Sequence, residues 1–124
     1  MIALIQRVLE ASVAVDSELT GKIDNGLLVF LGVQTGDNED EAGYLASKTA
    51  NLRIFNDENS KMNLSLLDTG FGALVVSQFT LHADTRHGNR PSFTDSAEPG
   101  KAENLYNSFI RELKTLLGNH KVEE

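Results

Sequence analysis

The run Gly26-Leu27-Leu28-Val29-Phe30-Leu31-Gly32-Val33 constrains this 124-residue chain more than any other stretch. It carries no polar side chain, so neither face of a strand built from it suits water. Such a strand has to be covered on both sides, which demands a layered domain with this run at its centre. At eight residues it is too short to cross a membrane, which takes about 20. Gly32 inside the run marks a bulge or the close approach of another backbone. Asp24-Asn25-Gly26 supplies turn chemistry just before it.

The flanking sequence supplies the layers. Ile2–Val8 reads as a first strand, Ser12–Asp16 as a second and Leu19–Ile23 as a third. After the loop Thr35–Asn38, a helix is expected over Glu39–Asn51, its acid-rich start matching the positive end of the helix dipole. Leu45, Lys48, Thr49 and Leu52 give that helix only a thin apolar stripe, and Gly43 weakens it. Leu52–Phe55 reads as a short strand, Asn56–Ser60 as a turn, and Leu64–Leu67 as a strand or ordered loop. The last helix starts at Pro99, a good first-turn residue, and ends before Gly118. Between them Ala102, Leu105, Tyr106, Phe109, Ile110, Leu113, Leu116 and Leu117 keep spacings of three and four. Two main helices and six or seven strands make a mixed α/β class, and 124 residues suit one domain, 1–124.

Function concentrates in Leu74–Leu81. Val75 and Val76 read as a buried strand, and then Ser77, Gln78 and Thr80 interrupt the apolar run. On a continuous strand Gln78 and Thr80 share a face with Val76, and Ser77 and Phe79 share the other. Burying three such groups without partners would cost about 1–3 kcal/mol each, so they need neighbouring backbone or a ligand. The loop that follows, Asp84-Thr85-Arg86-His87-Gly88-Asn89-Arg90-Pro91-Ser92-Phe93, carries two arginines. Between Thr80 and Phe93 the only acid is Asp84, against Arg86, Arg90 and two histidines. A locally positive loop beside a polar strand end suits an anionic substrate.

The chain as a whole carries a formal charge of −7. That argues against broad, sequence-independent nucleic-acid binding, which works by neutralising phosphates, but not against contact with one RNA end. There is no cysteine, hence no disulfide framework or thiolate zinc site, and this fits a reducing compartment. No basic segment precedes an apolar stretch near Met1, so no signal peptide is expected and the location expected is cytoplasmic, with no membrane partner. His82, His87 and His120 lack the pairing of metal ligands, so neither metal nor cofactor is expected. Thr80 with His82 as nucleophile and base is one chemical reading, although no acid is visible to orient the ring, and His82 reads as a surface or loop residue. The reading that asks less is electrostatic: backbone N–H groups around Ser77, Gln78 and Phe79, with the hydroxyls, stabilise a carbonyl oxygen as it becomes negative. Such a site suits an activated substrate such as an ester.

Several stretches together are highly specific: Gln6-Arg7-Val8, Gly26–Val33, Asn51-Leu52-Arg53-Ile54-Phe55, Lys61–Leu66, Val76–Leu81 and Arg90-Pro91-Ser92-Phe93. From Met1 to about Leu117 the chain resembles the D-aminoacyl-tRNA deacylases. The resemblance implies a homodimeric three-layer β/β/α domain that hydrolyses the ester between a D-amino acid, or glycine, and the terminal adenosine of tRNA. It implies that Ser77, Gln78 and Thr80 line the pocket, that no metal is needed, and that the substrate's ribose 2′-hydroxyl helps position water. On this reading Phe79 packs near the terminal adenine and Arg7 supports the site from the first strand. Arg86 and Arg90 meet phosphates of the acceptor end, and Pro91, Ser92 and Phe93 complete the substrate-binding set. Members of the family also carry a glycine followed by a cis-proline near the C-terminus, which excludes L-amino acids. Here the two prolines follow Arg90 and Glu98, so less strict filtering, or a non-catalytic module that binds tRNA ends, is the alternative expectation for a chain ending at Glu124.

Overall fold

A computed structural model describes all of residues 1–124. The strands are β1 (Ile2–Val8), β2 (Ala11–Val15), β3 (Glu18–Ile23), β4 (Gly26–Gly32), β5 (Phe55–Asn56), β6 (Met62–Leu64), β7 (Gly72–Ser77) and β8 (Val122–Glu123). The helices are α1 (Glu39–Asn51), α2 (Leu66–Thr69) and α3 (Pro99–Leu117), with 3₁₀ turns at Phe79–His82 and Asn119–Lys121. The main sheet has the order β1-β4-β7-β8, and β2–β3 and β5–β6 form two-stranded pairs. β4 is therefore central, antiparallel to β1 and parallel to β7.

The two apolar faces of β4 each find a cover. Leu27, Val29 and Leu31 pack with Ala73 and Val75 against α1 and α3, all but fully buried. Full burial of such side chains contributes about 1.5–3 kcal/mol apiece. On the other face the β2–β3 hairpin lies across β7: an added Cβ on Gly21 would sit 3.1 Å from Leu74 Cδ1. The hairpin turns at Asp16 and Ser17, both with positive φ, a geometry that matches the twist of the strands. These are the three layers β/β/α with two main helices. Further along that second face the cover thins, leaving Ile2 41% and Leu4 54% exposed.

The helices are set by their ends and by small residues. Asn38 and Glu41 form a reciprocal capping box on α1, and the Glu98 carboxylate accepts from the Gly100 and Lys101 amides at the start of α3. α1 buries Ala42, Ala46, Thr49 and Ala50 rather than a leucine stripe. A face of alanines lets α1 come close to α3, whose buried face is Leu105, Ser108, Phe109, Ile110 and Leu113. The Met1 ammonium is buried against Asp37 at 2.7 Å, and Asp37 also accepts from the Gln34 amide at 2.7 Å.

Four local readings are corrected. Leu64–Leu67 is not one strand, because Ser65 caps the single turn α2: its hydroxyl accepts from the Asp68 amide while the Asp68 carboxylate accepts from the Ser65 amide. The Leu52–Phe55 strand reduces to Phe55–Asn56. β8, absent from the sequence reading, pairs Val122 and Glu123 with Ala73 and Leu74. The strand expected to run through Leu81 stops at Ser77 and becomes a 3₁₀ turn.

Gly26 and Gly72 face each other where β4 and β7 begin to pair, and a Cβ on Gly26 would lie 1.9 Å from the Gly72 carbonyl oxygen. Gly26→Ala is therefore expected to destabilise the chain by on the order of 3 kcal/mol, since backbone must move. Gly43 on α1 has open space around its missing Cβ, and Gly43→Ala should stabilise by about 1 kcal/mol. Urea unfolding of both variants checks the pair, and equal midpoints would contradict this packing.

Candidate active site

Ser77, Gln78, Phe79 and Thr80 come together at the C-terminal end of β7. The Gln78 amide donates to the Leu31 carbonyl at 2.8 Å, which closes the β4–β7 ladder. The chain then folds over Gly32, whose missing Cβ leaves room 3.1 Å from the Gln78 carbonyl, Leu81 and His82. Gly32 is thus a close approach, not a bulge: its register with Ile2 is unbroken.

The change from strand to turn reassigns the donors. The Gln78 N–H is taken by Leu31, so it is not available to a ligand. The amides of Phe79 and Thr80, at the start of the turn, donate to no group of the protein. The Gln78 side-chain amide donates to Thr80 Oγ1, which leaves the Thr80 hydroxyl proton free to point outward. Ser77 is exposed. His82, expected on the surface, is 9% exposed, and its Nε2 has no partner. Two residues apart on a 3₁₀ turn are about 120° apart in direction, so Thr80 and His82 do not share a face as strand residues would.

The loop after the turn is closed twice. Asp84 and Ser92 exchange backbone hydrogen bonds of 2.7 and 2.9 Å, which brings Phe93 edge-on to Phe79 with ring centroids 5.2 Å apart. Both rings stay exposed, Phe79 at 58% and Phe93 at 37%. The Ala97 amide donates to the Val33 carbonyl at 2.9 Å, and the Ser96 hydroxyl donates to the Phe79 carbonyl at 3.1 Å. Arg86 is held by Asp84 through two side-chain bonds of 2.9 and 2.8 Å. That contact draws the Asp84 carboxyl down to about 2 and raises Arg86 further. Arg90, by contrast, is exposed and forms no ion pair. Pro91 and Ser92 are also exposed on this loop.

Arg7 is not part of this cluster within one chain. Its partner in register is Leu27, which pairs with Ala73, four residues or about 13 Å of strand from Ser77. Its guanidinium donates instead to the Ile54 carbonyl at 2.8 Å.

Between the turn and the start of α3 lies a cavity of about 580 Å³. Ser77, Phe79, Ser96 and Ala97 form one side, and Pro99, Ala102, Glu103 and Tyr106 the other. The walls are mostly apolar. Tyr106 is anchored by its hydroxyl, which donates to the Val75 carbonyl at 2.9 Å, and burial, with Glu124 nearby, pushes the phenol up to about 12. The α3 side of this cavity was missed from sequence, although Ala102 and Tyr106 stood in the helix's apolar stripe: the spacing marks a covered face without saying whether protein or a ligand covers it. A second, more polar cavity of about 310 Å³ includes Lys22, Asn25, Gly72 and Lys121, at the opposite end of β7. No helix is long and apolar enough to cross a membrane.

Known proteins resemble this chain in sequence and in overall fold. The family model described as D-Tyr-tRNA(Tyr) deacylase matches residues 4–124. A D-aminoacyl-tRNA deacylase of Salinibacter ruber is 53% identical over 118 residues, 95% of this chain and 79% of its own length. One from Shewanella denitrificans is 61% identical over 110 residues, 89% of this chain and 76% of its own. Among solved structures, a c-Myc DNA unwinding element binding protein superposes with a TM-score of 0.91 at 36% identity, over 97% of this chain and 80% of its own. A structure described as a probable eukaryotic D-amino acid tRNA deacylase shares the fold, with a TM-score of 0.80 at 15% identity over 94% of this chain and 68% of its own. The chain belongs to the D-Tyr-tRNA(Tyr) deacylase family.

Proposed function

We propose that this chain hydrolyses the ester joining a D-amino acid, or glycine, to the terminal adenosine of tRNA, releasing free tRNA and the amino acid. It is a D-aminoacyl-tRNA deacylase, and family membership over residues 4–124 supports the hydrolase rather than a non-catalytic remnant. The observation that carries the reading is the pair of unpartnered amides at the start of the turn, those of Phe79, which lines a mostly apolar cavity, and of the adjacent Thr80. Water adds to the ester carbonyl carbon, and the carbonyl oxygen becomes an oxyanion. Donors aimed at that oxygen lower the barrier because they meet charge that exists only along the reaction path. Collapse of the intermediate breaks the bond to the ribose oxygen, which leaves as the tRNA hydroxyl.

In this reading Thr80 donates its hydroxyl proton, Gln78 holds Thr80 in place, and Ser77 borders the ester. Phe79, with Phe93 beside it, offers an aromatic surface to the terminal adenine. Arg90, unpaired, attracts acceptor-end phosphates, while Arg86, Pro91 and Ser92 shape the loop that presents it. Residues 1–124 act as one unit. The thinly covered sheet face with Ile2 and Leu4 supports association into a homodimer, because exposed apolar patches mark contact surfaces. Arg7 then acts across the dimer or on the stability of its own chain. The cytoplasm, where aminoacyl-tRNA is found, is the compartment this substrate requires.

The purified chain should release D-amino acid from D-aminoacyl-tRNA well above the spontaneous rate. Thr80→Val keeps the shape and removes the hydroxyl, and should lower kcat/KM by roughly 10- to 100-fold. His82→Ala should stay active, whereas its inactivity would favour the Thr80–His82 nucleophile. Folded chain with no hydrolysis would contradict the reading. Arg90→Ala should reduce the slope of log affinity against log salt by about 1, more than Arg86→Ala, whose guanidinium is already engaged. Equal slopes in wild type and Arg90→Ala would place the RNA elsewhere.

A further inference from the structure

We infer that Glu103 recognises the free α-ammonium of the aminoacyl group, and so makes the site selective for aminoacyl-tRNA over tRNA whose amino acid is N-acylated. The inference rests on the deacylase reading and concerns the same cavity. Glu103 is the one carboxylate on its walls, which are otherwise Ser77, Phe79, Ser96, Ala97, Pro99, Ala102 and the neutral phenol of Tyr106. It lies on α3 one turn beyond Pro99, exposed, on the side of the cavity facing the Ser77–Thr80 turn. The two ion pairs of the protein are Met1–Asp37 and Asp84–Arg86, so the Glu103 carboxylate has no cation of its own. Nor does any backbone or side-chain donor bond to it, unlike Glu98 and Glu41, which cap their helices.

A carboxylate facing a polyanionic ligand repels it. The substrate carries a single cationic group that offsets this, the α-ammonium, next to the ester carbonyl. If the carbonyl oxygen meets the Phe79 and Thr80 amides, the ammonium, two bonds from the carbonyl carbon, comes within the cavity that Phe79 and Glu103 both line. A charge-assisted hydrogen bond there adds affinity for the free amine. An N-acyl group removes the charge and leaves the carboxylate unpaired, which is a stronger discriminator than lost contact alone.

The test compares D-aminoacyl-tRNA with its N-acetyl derivative on the wild-type chain, Glu103→Gln and Glu103→Asp. The wild type should prefer the free amine by about ten-fold or more in kcat/KM, the range of a hydrogen bond to a charged group. Glu103→Gln should reduce that preference to near one, chiefly through KM, and Glu103→Asp should restore part of it. Because Glu103 is exposed and unbonded, the Gln variant should unfold at the wild-type urea concentration, which separates specificity from stability. A preference unchanged in Glu103→Gln overturns the assignment. So does an equal loss on both substrates, which would mean that Glu103 reads the nucleoside. No hydrolysis of either substrate by the wild type removes the deacylase reading itself, an outcome distinct from both.

Discussion

Everything at the site depends on how far β4 and β7 stay paired. Their parallel ladder runs from Gly26–Gly72 to Leu31–Ser77 and is closed by the bond from the Gln78 amide to the Leu31 carbonyl. Two glycines make this possible from opposite ends. Gly26 lets the backbones meet where pairing begins, and Gly32 leaves room for the turn where it ends. Because one face of the ladder is locked against α1 and α3, the turn projects from a rigid base. Rigid positioning is what lets amide dipoles stabilise a developing charge without first reorganising.

The strongest sequence patterns translated directly into structure. A run without a polar residue had to be central, and β4 is; a stripe of spacing three and four had to be helical, and α3 is. Weaker patterns failed for identifiable reasons. The α1 contact is made by Ala42, Ala46 and Ala50, and alanine carries too little hydrophobic signal to mark a face. β8 is two residues long and exists because β7 offers it an edge, a tertiary cause that no local window contains. Phe79-Thr80-Leu81 has strand-like residues yet forms a 3₁₀ turn: Gln78 makes the last bond to β4, and the amides of Leu81 and Ala83 bond back to Gln78 and Thr80 within the turn, a choice no local window of sequence reveals.

The candidate site was legible as a cluster but not as a set of roles. Ser77 to Thr80 lie together, and Phe93 reaches Phe79 across a loop closed by Asp84 and Ser92. Charge counting treated Arg86 and Arg90 alike, whereas geometry separates them: Asp84 holds one and leaves the other free. Sequence also could not tell which amides were engaged, since that depends on where a ladder stops. The α3 wall of the cavity, with Ala102, Glu103 and Tyr106, emerges only when the helix is docked beside β7.

The central claim is that the Phe79 and Thr80 amides receive the ester carbonyl. It is tested most directly by amide spectra of the ¹⁵N-labelled chain titrated with a D-aminoacyl-adenosine analogue whose ester is replaced by an amide. The account predicts that the largest shifts fall on Phe79 and Thr80, with Ala97 and Ala102 following and the Gln78 amide, already bonded to Leu31, moving less. Shifts centred on Lys22, Asn25 and Lys121 at the other end of β7, with Phe79 and Thr80 unmoved, would contradict it.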